Sequence, residues 1–301
     1  MPIILPDTLP SAALLRHEDV DIVRKPRLRH PTVRVGLLNL MPDKIRTEMQ
    51  FARLLGASDH QVELVLAVPA GYPSRHEDTR MYARWSSKSP PPDLDGLIVT
   101  GAPLEHLAFE DVTYWRNLVW LFDWATKNSC KTFCICWASF AALCLRHNVR
   151  AQLLPYKISG IFKQHVLEAK HPLMLGFPAK FPCPVSRYSE IHPQDVPWSK
   201  NLTCLVYSLE SGLCLISNAD HNAIYMFNHL EYEAETLKRE YLRDRDCRAG
   251  INVPKSYFPN GDLSKIPPDN WRGAAEKLFA NWLATLTIGA HPTVQLTRSA
   301  A

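Results

Sequence analysis

Four apolar segments of strand length alternate with helical segments in the first half of this 301-residue chain. Near-continuous apolar runs are typical of strands in a parallel sheet, where helices cover both faces. Their alternation with helices predicts an α/β fold with a doubly wound, mostly parallel sheet. The predicted strands are 33–40, 61–68, 94–101 and 132–136, and the predicted helices are 47–55 and 111–127.

The second half is richer in strands. Residues 202–209 and 212–217 predict an antiparallel pair because the gap between them is short. A strand is predicted at 223–227 and helices at 232–243 and 278–286. We expect one catalytic domain, 31–286, with an N-terminal arm, 1–30, packed on it and a polar, disordered tail, 287–301.

Composition excludes several classes of function. Apolar residues make up 46% of the chain and charged residues 21%, without an apolar run long enough to span a membrane and without a basic leader segment. The net charge of +4 is dispersed, which argues against nucleic-acid binding. Eight cysteines without a secretory signal indicate reduced thiols in the cytoplasm. No C-x-x-C pair occurs, so we predict no metal site.

Cys136 lies where an apolar strand is followed at once by an alanine-rich helix, within 131–145. A helix N-terminus favours a thiolate, so this is the expected place for a nucleophile. In a parallel sheet, the loops after Leu40, Val99 and Cys136 converge on one crevice. The alternative is that Cys134, Cys136 and Cys144 are small core residues.

His229 is the best candidate for a base that acts on Cys136. It follows the predicted strand 223–227, which places it at the same edge of the sheet as Cys136. Glu231, two residues later, would orient the imidazole in a nucleophile–base–acid set. The alternative for Glu231 is an ordinary acidic residue near a helix N-terminus.

Six ordered motifs, spanning nearly all of residues 1–286, resemble those of the MetA-type homoserine O-acyltransferases. They are Leu38-Asn-Leu-Met-Pro-Asp-Lys-Ile45, Gly96-Leu-Ile-Val-Thr-Gly-Ala-Pro103, Cys136-Trp-Ala138, Ser186-Arg-Tyr188, His229-Leu-Glu-Tyr232, and Trp271-Arg272 with Leu278-Phe279 and Asn281-Trp-Leu283. The resemblance implies a fold like that of the class I glutamine amidotransferases, which is flavodoxin-like. It also implies a cytoplasmic homodimer that transfers an acyl group from acyl-CoA to an amino-acid hydroxyl, with no permanently bound cofactor.

The resemblance assigns roles to individual positions. Cys136 matches the nucleophile that forms the acyl-thioester, His229 the general base and Glu231 the acid that supports it. The positions that match substrate contacts in the family are Lys157, Ser186 and Arg243, with Lys44 close to the same pocket.

Glu105 bears on the acyl donor. It matches the family position where glycine accompanies succinyl transfer and glutamate accompanies acetyl transfer. A carboxylate there would repel the distal carboxylate of a succinyl group, so we expect acetyl-CoA as the co-substrate. The alternatives are that Glu105 is a solvated loop residue and that succinyl-CoA is the donor.

The acceptor is less constrained, because the chain departs from the family pattern near the crevice. The departures are at Phe140, Tyr156, Ser159, Asn228 and 273–274. L-homoserine is the first choice, and L-serine or another hydroxy-amino acid is the rival. Two other classes stay open: a cysteine amidase or glutaminase, although Cys136 lacks the flanking glycines of a nucleophile elbow, and a catalytically idle homologue.

Overall fold

A computed structural model describes residues 1–27, 31–73, 81–247 and 250–287. Within these residues twelve strands form one mixed sheet, and six α-helices accompany it. The strands are β1 (Ile3–Ile4), β2 (Ile22–Val23), β3 (Thr32–Leu38), β4 (Gln61–Pro69), β5 (Ala83–Trp85), β6 (Gly96–Val99), β7 (Lys131–Ile135), β8 (Gln152–Val166), β9 (Lys180–Glu190), β10 (Leu202–Ser208), β11 (Gly212–Asn218) and β12 (Ala223–Met226). The helices are α1 (Pro10–His17), α2 (Lys44–Gly56), α3 (Trp115–Lys127), α4 (Trp137–His147), α5 (Thr236–Cys247) and α6 (Arg272–Thr287).

The centre of the sheet has the order β4-β3-β6-β7-β12, and all of these strands are parallel. In chain order this is 2-1-3-4-5, the flavodoxin-like arrangement. The predicted doubly wound sheet is therefore confirmed. The predicted antiparallel pair is β10–β11, and β8 and β9 continue the sheet in antiparallel fashion beyond it.

Buried side chains lie on both faces of the sheet. One core cluster includes Phe51 of α2 and Trp282 of α6, and the other includes Leu118 of α3 and Ala141 of α4. Gly96 lets α6 approach β6 closely, since a Cβ atom there would lie 2.9 Å from the Trp282 ring. No helix among the described residues combines the length and the apolarity that a membrane crossing requires.

The N-terminal arm extends the sheet. β1 pairs in parallel with both β4 and β2 at one end of the strand order, and α1 packs on α2. The buried Ser11 hydroxyl donates to the Glu48 carboxylate at 2.6 Å. The predicted disorder of 287–301 concerns residues that, apart from Thr287, lie outside the described part of the chain.

A long hairpin, β8–β9, is present where the sequence analysis placed no strand. The helices also begin at other residues than predicted: α3 and α5 begin four residues later, at Trp115 and Thr236, whereas α2 begins three residues earlier and α6 six residues earlier, at Lys44 and Arg272. The Thr236 hydroxyl accepts a hydrogen bond from the Glu233 N–H at 3.1 Å, which closes a turn before α5. Residues 228–235 therefore form a connection between β12 and α5, and this connection holds His229 and Glu231 at the carboxyl ends of the parallel strands.

Gly160 joins β8 to the segment around Lys255. Its φ is +145°, and the Ile161 N–H donates to the Lys255 carbonyl at 2.8 Å while the Lys255 N–H donates to the Ser159 carbonyl at 2.9 Å. A Cβ atom at Gly160 would lie 2.3 Å from the Lys255 carbonyl oxygen. Only glycine fits this backbone conformation and this approach.

We expect Gly160→Ala to lower the free energy of unfolding by more than about 2 kcal/mol, because the clash is with backbone and the φ disfavours a side chain. The matched control is Gly273→Ala in the first turn of α6, where nothing lies within 4 Å of the added carbon. That variant should equal the wild type or exceed it by about 0.5 kcal/mol. Urea unfolding of the three proteins measures the difference, and equal midpoints for the two variants would contradict it.

Candidate active site

A cavity of about 400 Å³ opens at the carboxyl ends of β3, β6, β7 and β12. It is the crevice at which the sequence predicts that the loops converge. The residues after these strands form one wall, and the opposite wall comes from the β8–β9 hairpin and α5. The cavity thus lies between the parallel half of the sheet and the elements that follow it.

Cys136 sits at a sharp turn between β7 and α4 and lines the cavity. Its φ and ψ of 49° and −115° are unusual for a residue with a side chain, and they are typical of a nucleophile elbow. The Cys136 N–H donates to the Met226 carbonyl at 2.7 Å, and the Ser139 N–H donates to the Cys136 carbonyl at 2.9 Å. The elbow forms without flanking glycines because Cys134 and Ala138, both fully buried, are small enough for close packing.

His229 and Glu231 form a buried pair beside this elbow. Their side chains are 3% and 6% exposed, and the His229 Nδ1 lies 2.6 Å from the Glu231 Oε1. The His229 N–H donates to the Pro184 carbonyl at 2.9 Å, and its imidazole is within hydrogen-bonding reach of the Cys136 sulfur. The structure therefore brings the three predicted side chains together, with the imidazole between the sulfur and the carboxylate.

Burial alone would lower the pKa of His229, but the Glu231 carboxylate and the Cys136 sulfur raise this pKa well above its ordinary value. The raised pKa favours the imidazolium form of His229. An imidazole held between a sulfur and a carboxylate in this way can both hold and accept a proton, as a general acid–base catalyst must.

The backbone around Cys136 provides candidate donors for an oxyanion. Trp137 is the first residue of α4, so its N–H has no acceptor within the helix. The loop after β6 passes close by: a Cβ atom at Gly101 would lie 3.2 Å from the Cys136 Cβ and 3.7 Å from the His229 Cε1. Such a site can stabilise a tetrahedral intermediate formed on the Cys136 sulfur.

A cluster of paired charges forms the opposite wall. The Lys157 Nζ lies 2.8 Å from the Asp244 Oδ2 and 3.4 Å from the Glu240 Oε2, and the Ser186 hydroxyl also donates to Glu240. Arg243 donates to the Asp244 Oδ1 through two nitrogens, at 2.9 and 2.7 Å. Lys157, Glu240 and Asp244 are only 13–16% exposed, whereas the Arg243 side chain is 54% exposed.

The cluster keeps its groups ionised. Burial would raise the pKa of Glu240, but the charges of Lys157 and His229 lower it below its usual value. Burial likewise opposes a charged Lys157, yet Glu240 and Asp244 raise its pKa. The two cations and two carboxylates of this cluster therefore balance each other in charge.

The structure brings most of the predicted residues together around the cavity. Cys136, His229, Lys157, Ser186, Arg243 and Glu105 all line it. Glu231 lies behind His229. Lys44 is buried in the first turn of α2 and is not among the lining residues; its Nζ lies 2.6 Å from the Tyr72 hydroxyl and donates to the Met41 carbonyl. Met41 itself lines the cavity, so Lys44 supports the wall from behind.

Sequence reasoning assigned no role to several lining residues, among them Tyr232, Glu240 and Asp244. The signal for the two acids was their i,i+4 spacing, which puts both carboxylates on the same face of α5. Tyr232 ends the His229-Leu-Glu-Tyr232 motif, but only the structure reveals that its ring stacks on the imidazole.

Comparison with known proteins gives concordant results. The family model described as homoserine O-succinyltransferase matches residues 2–292. Proteins named homoserine O-acetyltransferase from Brucella canis and Brucella suis are 41% identical over 290 residues, which is 94% of this chain and 94% of each relative.

Solved structures with a similar fold are much more distant in sequence. A glutamine amidotransferase from Thermotoga maritima has a TM-score of 0.57 at 12% identity, covering 85% of this chain and 99% of its own. A glutamine amidotransferase from Methylobacillus flagellatus has a TM-score of 0.56 at 14% identity, covering 86% and 95%. These similarities show the fold alone, and they confirm the predicted class I glutamine amidotransferase-like architecture.

We expect Glu231→Gln to lower the pKa of His229, because it removes the carboxylate that opposes the effect of burial. In the wild type, the raised pKa means that protonated His229 stabilises the fold fully below about pH 6.5, the unfolded value, and that this contribution is lost as pH rises through the folded pKa. NMR titration of the imidazole and urea unfolding at several pH values measure both effects.

The stability deficit of Glu231→Gln should therefore shrink as pH rises. The control is Glu235→Gln, at an exposed residue that pairs with Arg239 on α5. It removes the same charge without touching His229. An unshifted His229 titration in Glu231→Gln would refute the assignment of Glu231.

Proposed function

Because the chain belongs to the homoserine O-succinyltransferase family, whose members are acyltransferases, we propose that it moves an acetyl group from acetyl-CoA to the hydroxyl of L-homoserine. The observation that carries this proposal is the Cys136–His229–Glu231 set, which opens to a cavity whose opposite wall carries the paired charges of Lys157, Glu240, Asp244 and Arg243. The first feature supports covalent acyl transfer, and the second supports an amino acid as the acceptor.

In the first half-reaction, the Cys136 thiolate attacks the thioester carbonyl carbon of acetyl-CoA. The Trp137 N–H and the backbone of the Gly101 loop donate hydrogen bonds to the developing oxyanion. When the tetrahedral intermediate collapses, the carbon–sulfur bond to CoA breaks. The proton that His229 took from the Cys136 thiol goes to the departing sulfur, so CoA leaves as a thiol and Cys136 is acetylated.

In the second half-reaction, His229 takes the proton of the acceptor hydroxyl, whose oxygen attacks the acetyl carbon. The bond from this carbon to the Cys136 sulfur breaks, and the thiolate is regenerated beside an imidazolium. Glu231 stabilises that cation and fixes the ring so that the second nitrogen faces the sulfur. The two half-reactions share one base and predict ping-pong kinetics.

The charged wall suits a zwitterion. An amino acid brings one ammonium and one carboxylate, and the wall offers carboxylates from Glu240 and Asp244 and cations from Lys157 and Arg243. When the amino acid binds, its ammonium and carboxylate can replace partners in the ion pairs of the wall. No buried charge is then left without a counter-charge. Arg243, the most exposed of the four, can pair with the acceptor carboxylate in bidentate fashion.

The departures from the family pattern bear little on this wall. Of them, Phe140 lines the cavity, whereas Tyr156 is 60% exposed and Asn228 is fully buried outside the lining. Most of the side chains that depart from the family pattern thus lie outside the cavity lining, and they are not expected to change the acceptor pocket. This favours L-homoserine over L-serine, and the relatives at 41% identity carry the homoserine name.

Glu105 supports acetyl-CoA as the donor. It lines the cavity on the side of the Gly101 loop, where the distal carboxylate of a succinyl group would meet a like charge. Such repulsion is worth about 1–3 kcal/mol in a partly buried site, or about 10- to 100-fold in rate. The cytoplasmic homodimer and the lack of a bound cofactor stay predictions from the resemblance.

Mass spectrometry after incubation with acetyl-CoA alone tests the proposal. We expect a gain of one acetyl group on Cys136 in the wild type and no gain in Cys136→Ala. Cys144→Ser is the matched control, because Cys144 is a partly exposed thiol on α4 and should leave the adduct unchanged. Glutamine hydrolysis without acetylation would instead indicate an amidase.

A panel of acceptors then identifies the substrate. L-homoserine should exceed L-serine and L-threonine by about 10-fold or more, measured as release of free CoA thiol together with product mass. A higher rate with L-serine would make this a serine O-acetyltransferase by the same chemistry.

Glu105→Gly should raise the rate with succinyl-CoA relative to acetyl-CoA by about 10- to 100-fold, because it removes both the charge and the bulk. Glu105→Gln keeps the size and removes the charge, so it separates the two effects. The ratio of kcat/KM values for the two donors is the measurement. If both variants keep the wild-type ratio, Glu105 does not select the donor.

A further inference from the structure

Tyr232 connects the two walls of the cavity. Its ring lies over the His229 imidazole, with the ring centroids 4.1 Å apart and the planes 20° from parallel. Its hydroxyl donates to the Glu240 Oε1 at 2.7 Å. The residue is 3% exposed and lines the cavity, so one buried side chain touches both the base and the charged cluster.

The position of Tyr232 is fixed from the opposite side. The Trp271 indole N–H donates to the Tyr232 carbonyl at 2.7 Å, and the Tyr232 N–H donates to the His229 carbonyl at 3.3 Å. The His229 backbone is held by Pro184 and its Nδ1 by Glu231. With its backbone and ring edge held in this way, the imidazole has one face covered by the Tyr232 ring.

The phenol acts as a donor and not as an acid. Burial, together with the nearby carboxylates of Glu240 and Glu231, raises the pKa of Tyr232 well above its ordinary value. The hydroxyl therefore keeps its proton at working pH and donates a charge-assisted hydrogen bond to Glu240.

We infer that Tyr232 is a positioning residue that couples occupancy of the charged wall to the orientation of His229. This inference rests on the proposed function, in which the acceptor spans from that wall to the imidazole. The Tyr232 side chain also extends from Glu240 to the His229 imidazole. Its length therefore sets the distance between the carboxylate that binds the acceptor and the imidazole nitrogen that takes the acceptor's proton. A misplacement of this kind slows transfer without removing any reacting group.

The two ends of Tyr232 should matter in different half-reactions. Acetylation of Cys136 needs the imidazole but does not need Glu240, so the hydroxyl should have no part in it. Transfer to the acceptor needs both. The ring, which holds the imidazole, should matter in both half-reactions.

Three variants test this separation. Tyr232→Phe keeps the stack and loses the bond to Glu240, whereas Tyr232→Leu loses both. The matched control is Tyr225→Phe, since Tyr225 is equally buried and its hydroxyl accepts from the Asn218 side chain at 2.9 Å, outside the cavity lining. It reports what loss of a buried hydroxyl does to the fold alone.

For Tyr232→Phe, quenched-flow mass spectrometry should give a Cys136 acetylation rate within about 2-fold of the wild type. Steady-state kinetics should give a kcat/KM for L-homoserine lowered about 10- to 100-fold, the usual size of a lost charge-assisted hydrogen bond. Tyr232→Leu should slow acetylation as well, and Tyr225→Phe should change neither step.

The outcomes distinguish the inference from the function it rests on. A wild type that is not acetylated on Cys136 overturns the proposed function, and the inference with it. Acetylation in the wild type, combined with equal slowing of both steps in Tyr232→Phe, overturns the coupling alone. A kcat/KM for L-homoserine in Tyr232→Phe equal to that of Tyr225→Phe also overturns it.

Discussion

The backbone of Cys136 is held in a conformation that residues with side chains rarely adopt, and the arrangement of the site depends on it. Strain of this kind is worth about 1–3 kcal/mol and persists only where neighbouring structure compensates. Here the compensation comes from β12: the Met226 carbonyl accepts from the Cys136 N–H, and the Ser139 hydroxyl lies 2.9 Å from the same carbonyl. Since β12 also leads directly to His229, the strand that holds the nucleophile in place also delivers its base.

Two charged systems share the cavity without neutralising each other. In the proposed mechanism the Cys136–His229–Glu231 set moves one proton, whereas the wall of Lys157, Glu240, Asp244 and Arg243 is already internally paired. Tyr232 separates them as a neutral group, so Glu240 approaches His229 through a phenol and not through a direct ion pair. A direct contact would add a second carboxylate to the imidazole and raise its pKa further, so in the proposed reaction the imidazolium would give up its proton to the departing CoA sulfur less readily.

The parallel core and the turn at Cys136 could be predicted from sequence because each carries a local signal: apolar runs for β3, β6 and β7, and a strand-to-helix change at Cys136. The β8–β9 hairpin carries no such signal. The first half of β8 is mostly exposed, and β9 contains Pro182 and Pro184, which argue against a strand unless it lies at the edge of a sheet, as β9 does. Glu240 and Asp244 were missed because their function depends on Lys157, which comes from that hairpin, and on a helix that begins later than its apolar pattern suggests. Contacts between segments more than 80 residues apart leave no pattern in either segment.

The two walls of the cavity come from different parts of the fold, so one wall could change to bind a different acceptor while the other stays the same. The proposed nucleophile, base and oxyanion donors come from β6, β7, α4 and the residues after β12, all built on the parallel core that this chain shares with the glutamine amidotransferase structures. The proposed acceptor wall comes from the β8–β9 hairpin and α5, which are attached to the end of that core. Changes in the hairpin or in α5 would alter what the proposed acyl-enzyme meets without disturbing the strained turn at Cys136. Selection for a new acceptor would therefore act on positions such as 157, 186, 240 and 243. The turn at Cys136, where the acyl group would be loaded, is instead constrained by the backbone hydrogen bonds between β7 and β12.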